Sequence, residues 1–268
     1  MNGRAKSPDA ALRFAPRPCG VRQSTPHPPR FARPACGTFC TAVRSGKTLR
    51  AVGTLALLAA VLALGGCAGL PNIEPLEPAL KSAAQDACGR PFLKDKYRLV
   101  HALKAVMPGD REGMAIGILA ADPRTGSFQS VLMTIEGLVL FDIVYARSLS
   151  VNRAVPPFDA PSFARRMAED IGLAFFSPGG EPAAWGRTAA GDTVCRFERP
   201  GGEFVDVLSG QSGALEIRLY GSGKELRKKV SIPRVETPGL ADELEIRGTG
   251  WPSYSLHLRL IEAERIED

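Results

Sequence analysis

The stretch SVLMTIEGLVLFDIVYARSLSVN, residues 130–152, decides how this chain folds. Apolar residues recur at nearly every second position, many of them are β-branched or aromatic, and Gly137 interrupts the run. A period of two with this composition is typical of strands that bury one face. The stretch therefore predicts two antiparallel strands joined by a turn at Gly137, followed by the beginning of a third strand.

The alternating pattern continues on both sides of this stretch. From Lys96 to the end of the chain, about a dozen strand candidates are separated by Gly or Asp-Pro punctuation. One separator, ADPRTG at 121–126, has the composition of a polar hairpin turn. Two segments have helical spacing instead, 78–87 and 162–176.

These elements together define a fold class. A long antiparallel sheet must bend or close to protect its edges from pairing with other chains. We therefore predict a mainly β (α+β) fold, in which a strongly curved antiparallel sheet, or half-open β-barrel, carries about two to three helices on its concave side.

A short apolar run lies upstream of the predicted sheet. Residues 51–66 carry no charge and follow three basic residues, Arg44, Lys47 and Arg50. A helix that spans a bilayer needs about 20 apolar residues, whereas a basic region, a shorter apolar core and a small-residue exit describe a signal peptide. The exit, Leu64-Gly65-Gly66-Cys67, resembles the lipobox of bacterial lipoproteins, which implies acylation (palmitate) of Cys67 and a membrane anchor. The alternative is a cysteine that happens to follow a hydrophobic helix.

The chain is therefore predicted to have four segments. Residues 1–42 are rich in Pro and Arg without an apolar period, so we expect disorder there and a translation start further along, near Val43. Residues 43–66 form the signal peptide, 67–79 a proline-containing lipidated tether, and 80–268 a single β domain.

The net charge excludes one class of partner. The formal charge of +6 originates in the first 66 residues, which hold ten of the 34 Lys and Arg but one of the 28 Asp and Glu. The remainder has 24 basic and 27 acidic residues, a net charge of −3. Nucleic-acid binding needs a positive surface, so we predict no nucleic-acid partner. The triplet Arg227-Lys228-Lys229 is interpreted as a solvated strand face or a contact with anionic lipid heads.

Few residues are suited to catalysis. Beyond residue 67 the histidines are His101 and His257, and neither has a second ligand at metal-binding spacing. The acidic pair Glu169-Asp170 is interpreted as the solvated face of the second helix. We predict no enzymatic activity, no metal and no cofactor.

Two cysteines remain after the predicted cleavage and acylation, Cys88 and Cys195. In an oxidising compartment beyond the inner membrane, two remaining thiols favour a disulfide. Two separate buried thiols are the alternative, because free cysteine is a common core residue.

From Lys96 to Asp268 the order of elements resembles the outer-membrane lipoprotein receptor LolB and its periplasmic carrier relative LolA. The quoted stretch looks like that family's strand, turn, strand unit, and 162–176 looks like the helix between its two blocks of strands. The resemblance implies a half-open barrel with helices as a lid over a hydrophobic hollow that receives lipoprotein acyl chains. It also implies a periplasmic carrier as partner, no covalent chemistry, and a location on the periplasmic face of the outer membrane.

The apolar residues of the quoted stretch and of the end of the second helix are candidates to line that hollow. They are Leu132, Ile135, Leu138, Leu140, Phe141, Ile143, Phe175 and Phe176. Because strand faces alternate, about half of the strand residues can point inward. An ordinary filled core is the alternative, since cores and ligand pockets use the same residue types.

The sequence departs from the family at one point, and three functions remain open. The receptor has a protruding loop with an apolar tip, whereas the corresponding turn here, 121–126, is polar. The first function is a tethered binder of lipid or lipoprotein acyl chains. The second is a structural or assembly envelope lipoprotein that docks a protein partner with its sheet and has a full core. A hydrolase with an unrecognised site is a third alternative.

Overall fold

The computed structural model describes residues 69–109, 111–250 and 252–267. The predicted disordered segment 1–42, the signal peptide 43–66 and the acylation site Cys67 lie outside these residues. Within them, neither helix has the length and hydropathy that crossing a bilayer would require.

Thirteen strands of one sheet make up most of the described chain. Their bounds are β1 Glu74–Pro75, β2 Tyr97–Met107, β3 Arg111–Asp122, β4 Ser127–Met133, β5 Val139–Tyr145, β6 Leu149–Ala154, β7 Ala184–Arg187, β8 Thr193–Arg199, β9 Glu203–Ser209, β10 Leu215–Tyr220, β11 Leu226–Ile232, β12 Glu243–Gly248 and β13 Tyr254–Arg265.

The sheet is antiparallel throughout and does not close on itself. Its strand order is β1-β7-β8-β9-β10-β11-β12-β13-β2-β3-β4-β5-β6, so two consecutive meanders meet where β13 pairs with β2. The edges are β1 and β6. The predicted fold class, an open antiparallel sheet with helices, is confirmed.

Two α-helices accompany the sheet, as the helical spacing predicted. Helix α1, Lys81–Gly89, follows a 3₁₀ turn at Pro78–Leu80, and helix α2 is Pro161–Phe175. Proline at the first position of α2 suits a helix start, because its missing N–H would have no intrahelical acceptor there. Since β6 is one edge of the sheet and β7 lies near the other, the chain must cross the sheet between them, and α2 is that crossing.

The helices define an inner face of the sheet. Cys195 of β8 points to this face and forms a disulfide with Cys88 of α1, with a Cα–Cα distance of 6.1 Å. The main core cluster combines inner-face residues from both meanders, such as Leu99, Val207 and Ile217, with residues of α2 such as Ala174. The strands thus contribute every second residue to this core, as their alternation predicted.

Candidate functional site

The space between the inner face and α2 is the candidate site. Contacts between aromatic rings connect α2 with the inner face of the sheet. Phe163 of α2 meets Phe141 edge to face with ring centroids 5.0 Å apart, and Phe175 at the end of α2 lies 5.7 Å from the ring of His101. The following residue, Phe176, lies 5.9 Å from Phe128. Helix α2 therefore covers the inner face of β2, β4 and β5 with an apolar surface.

Half of the eight predicted lining residues lie in this interior. Leu132, Phe141, Ile143 and Phe175 are buried members of the core cluster. Phe176 is half-buried and packs against the cluster. Leu140 is also half-buried, next to the irregularity that shifts the β4–β5 register.

The other two predicted lining residues do not face the interior. Ile135 and Leu138 are 69% and 55% exposed, because they lie in the turn between β4 and β5. Gly137 permits this turn with φ of +89°, and the backbone N–H of Leu138 donates to the Thr134 hydroxyl. Sequence alone did not distinguish these two residues from strand residues, because an apolar turn has the same composition as the strands that it joins.

The interior beneath α2 is filled by its own side chains. Phe141 and Ile143 are essentially inaccessible, and the helix side chains above them belong to the same cluster. Two cavities of about 370 and 500 Å³ lie instead along β11–β13, and the first also reaches β2 and β3. None of the eight predicted residues lines either cavity. Any further group beneath α2 would therefore require α2 to move.

An apolar rim borders the filled interior. Four side chains of β2, β3 and β13 pack against the core cluster and are half-buried. They are Leu103, Ala115, Leu256 and Leu258, and all four point inward. These four residues therefore form a partly exposed apolar strip on the inner face, which we call the rim.

A buried polar cluster attaches α2 to the sheet. Asp170 and Lys228 are each 5% exposed and form an ion pair, and the Tyr254 hydroxyl donates to both carboxylate oxygens at 2.8 Å. Lys228 also pairs with Glu169 at 2.8 Å and donates to the Arg166 carbonyl at 3.3 Å. We call Asp170, Lys228 and Tyr254 the latch.

Burial dominates the protonation behaviour of the latch. It raises the pKa of the Asp170 carboxyl, against the opposing effects of Lys228 and Tyr254. Burial, together with the neighbouring Asp170 charge, also raises the pKa of the Tyr254 hydroxyl. The ion pair and the two hydrogen bonds from Tyr254 hold the three side chains in a fixed arrangement.

The latch corrects two sequence interpretations. Asp170 is not on the solvated face of its helix, and Lys228 is not on a solvated strand face, whereas Lys229 is partly exposed on the opposite face. Alternation could have identified Lys228, because it shares its strand face with the buried Val230 and Ile232. A lysine among inward-facing apolar residues requires a carboxylate partner nearby.

His101 is the other buried ionisable group of the site, at 4% exposure. Burial lowers the pKa of its imidazole from 6.5 to about 4. It therefore remains neutral at neutral pH and acts as part of the apolar lining beside Phe175.

We expect His101 to make the protein sensitive to acid. Its folded-state pKa lies below the unfolded value, so its contribution to stability is present above about pH 6.5 and is lost as the pH falls towards 4. At 1.36 kcal/mol per pKa unit, the loss between about pH 7 and about pH 4.5 is about 2.5 kcal/mol. Urea unfolding at about pH 7 and about pH 4.5 measures it, and His101→Phe should show a smaller decrease. Equal pH dependence of both proteins would contradict the assignment.

Among the described residues, no three His, Cys, Asp or Glu side chains come together as metal ligands.

Comparisons with known proteins concern the fold. No protein-family model and no curated protein matches the chain. It is similar to the structure of a LolA superfamily protein from Nitrosomonas europaea, with a TM-score of 0.46 and 11% identity over 70% of this chain and 94% of that chain. It is also similar to a domain named as an outer membrane lipoprotein-sorting protein from Vibrio parahaemolyticus, with a TM-score of 0.43 and 8% identity over 70% and 93%.

Proposed function

We propose that this protein is a lipid-anchored envelope protein that binds an acyl chain of a lipid or lipoprotein between the inner face of its sheet and α2. The observation that supports it is the construction of the site. A wide apolar face is covered by a single crossing helix, and the latch attaches that helix to β11 and β13. In this proposal Cys67 carries the anchor, on the periplasmic face of the outer membrane.

The driving force is burial of hydrocarbon. Each CH₂ group transferred from water contributes about 0.8 kcal/mol, so a chain of ordinary fatty-acid length gains enough to displace several core side chains. The apolar rim around Leu103 offers the first contact, and α2 then moves aside. A periplasmic carrier would deliver the chain, and the reaction involves no bond making or breaking.

Binding is tested by titrating a fluorescent fatty acid into the chain from Ala68 to Asp268. One compact unit, Ala63–Asp268, contains every described element, so we expect this part to fold by itself. Saturable binding that oleate displaces would support the proposal. No binding up to the solubility limit of the probe would reject it.

Leu103→Gln is expected to weaken the probe about tenfold. The new amide would face the acyl chain at the rim without a partner, at a cost of about 1–3 kcal/mol. Ile135→Gln is the matched control, because its side chain lies in the exposed β4–β5 turn, and it should bind as the wild type does. Equal affinities of the two variants would place the chain elsewhere than the rim.

The second candidate function is a structural or assembly lipoprotein that binds a protein partner and no lipid. The filled interior favours it, because a full core needs no guest to complete its packing. The fatty-acid titration distinguishes the two, since this candidate requires no binding.

A further inference from the structure

The segment that precedes α1 does not behave as a free tether. Its Ile73 side chain is half-buried, and Glu74–Pro75 form strand β1 on β7. Further upstream, the Arg196 guanidinium donates to the Pro71 carbonyl at 3.0 Å. We call residues 69–75 the strap.

The strap lies on the outer face, opposite the helices. Gly186 shares its face with Val194 and Leu208, with which it is aligned across β7, β8 and β9. A Cβ atom on Gly186 would come within 2.0 Å of the Glu74 carbonyl oxygen and 2.8 Å of the Ile73 side chain. Glycine is therefore required at this position because the strap backbone occupies the space of a side chain.

The strap is attached to the sheet at Arg196, and the guanidinium of this residue is held in place. Arg196 binds Asp206 through two nitrogens, at 2.6 and 2.7 Å, and the Asp206 side chain is fully buried. A two-point Arg–carboxylate pair fixes the plane of the guanidinium, so its remaining contact with Pro71 is directed as well. Val194 and Leu208 are also buried, although they lie on the face opposite the main cluster.

Chain length then limits where an anchor on Cys67 can be. Cys67 is four positions before Pro71 in the chain, and an extended chain covers at most about 3.6 Å per residue. The acylated residue is therefore within about 14 Å of the strap attachment point. The domain cannot rotate freely above the bilayer on so short a connection.

The outer face next to this point carries a row of four basic side chains and one carboxylate. Each member is the cross-strand partner of the next along β8 to β12, in the order Arg196, Asp206, Arg218, Lys229 and Arg247. The cations become more accessible away from the strap, from 13% at Arg196 to 60% at Arg247. Glu216 and Glu245 pair with these cations within the sheet, and Glu198 and Glu243 lie on the same face, so this face presents charges of both signs, which suit zwitterionic phospholipid head groups.

We propose that the strap holds the outer face of β8–β12 against the lipid surface and turns α2 away from it. The proposal relies on the predicted anchor at Cys67 and refines the proposed function, because it makes the site open towards the aqueous compartment. A chain delivered by a soluble carrier would then reach the rim without crossing the head-group layer.

The test couples the chain from Cys67 to Asp268, through the Cys67 thiol, to maleimide lipid in vesicles of phosphatidylethanolamine and phosphatidylglycerol. Cys88 and Cys195 are already joined, so Cys67 is the reactive thiol of this chain. Lysine acetylation followed by mass spectrometry then compares Lys229, on the outer face, with the exposed Lys94, beside α1. Acetylation of Lys229 should slow at least about fivefold on vesicles relative to solution, as burial in the head-group region requires, while Lys94 reacts unchanged.

Two variants separate the strap from other causes. A 20-residue Gly/Ser insertion between Ala68 and Gly69 gives the anchor a reach of about 25 Å, and Gly186→Ala displaces the strap backbone. Both should restore the solution rate at Lys229. The proposal is overturned if Lys229 of the unmodified chain is not protected on vesicles, or if Lys94 is protected instead. It is also overturned if Lys229 is protected equally in the unmodified chain, the insertion variant and Gly186→Ala. Because acyl binding is measured without vesicles, failure of the proposed function would leave these results unchanged.

Discussion

Replacing both Cys88 and Cys195 with alanine is expected to lower the free energy of unfolding by about 4 kcal/mol. The two residues are 107 positions apart, so the bond closes a loop that includes the whole β2–β6 meander, α2 and β7. Cross-linking so long a loop removes much of the conformational freedom of the unfolded chain, and the expected stabilisation rises with loop length. The bond also attaches α1 to β8, next to the strap.

Urea unfolding of the chain from Ala68 measures this effect. Alanine keeps the two sites apolar, which limits the change to the bond and a small loss of packing. The wild-type protein in a strong reductant is the second measurement and should approach the double variant. A decrease below about 1 kcal/mol in both would show that the unfolded chain gains little from release of the loop.

The second large effect is expected at the latch. Lys228→Met should lower the free energy of unfolding by about 3–5 kcal/mol at neutral pH, because it leaves the buried Asp170 carboxylate without its cation. Lys229→Met is the matched control one residue away. Its ammonium pairs with Glu216 on the outer face and is partly exposed, so we expect a loss of about 1 kcal/mol or less.

The pH dependence of Lys228→Met has a definite sign. Burial already raises the pKa of Asp170 in the folded protein, and loss of Lys228 removes an effect that lowers it. A carboxyl with a raised folded-state pKa contributes stability below its unfolded pKa and loses that contribution as the pH rises through the folded value. The destabilisation by Lys228→Met should therefore be smaller in acid than at neutral pH.

A double variant completes the test of the latch. Asp170→Asn added to Lys228→Met removes the unpaired charge and should recover part of the lost stability, which a double-mutant cycle measures as coupling. Additive losses from the two substitutions would contradict the latch as an interacting unit.

Much of the fold could be predicted from the sequence because alternation reports local burial. In strands such as β4, β5 and β11, successive side chains point to opposite faces of the sheet and alternate between more and less buried positions. The sequence shows the same alternation between apolar and polar residues. The helix α2 was predicted within a residue at each end. Its place on the sheet follows from topology, since it joins two distant strands of the strand order.

The parts that the sequence did not predict depend on long-range contacts. Asp170 is acidic and next to Glu169, so it resembles a solvated residue until Lys228 and Tyr254 are brought to it from distant strands. Residues 67–79 were predicted as a lipidated tether because their prolines suggest a linker, and the contacts of the strap with Arg196 and Gly186 are not visible in that composition. Neither partner can be recognised from local composition.

The filled interior also could not be predicted, because apolar composition does not distinguish a hollow from a core. Phe141 and Phe163 pack edge to face in the closed protein and would have to separate around a guest. The proposed function therefore requires two arrangements of α2, with the latch stabilising the closed one.

Photo-crosslinking with a fatty acid that carries a diazirine at the end of its chain tests this account most directly. After irradiation with the chain from Ala68, peptide mass spectrometry should locate the label on inner-face residues such as Phe141 and Ile143 and on α2, with excess oleate preventing the reaction. Labelling confined to the outer face, around Met114 and Arg259, would contradict an acyl-chain site beneath α2. Labelling no stronger than in a sample that was not irradiated would contradict it as well.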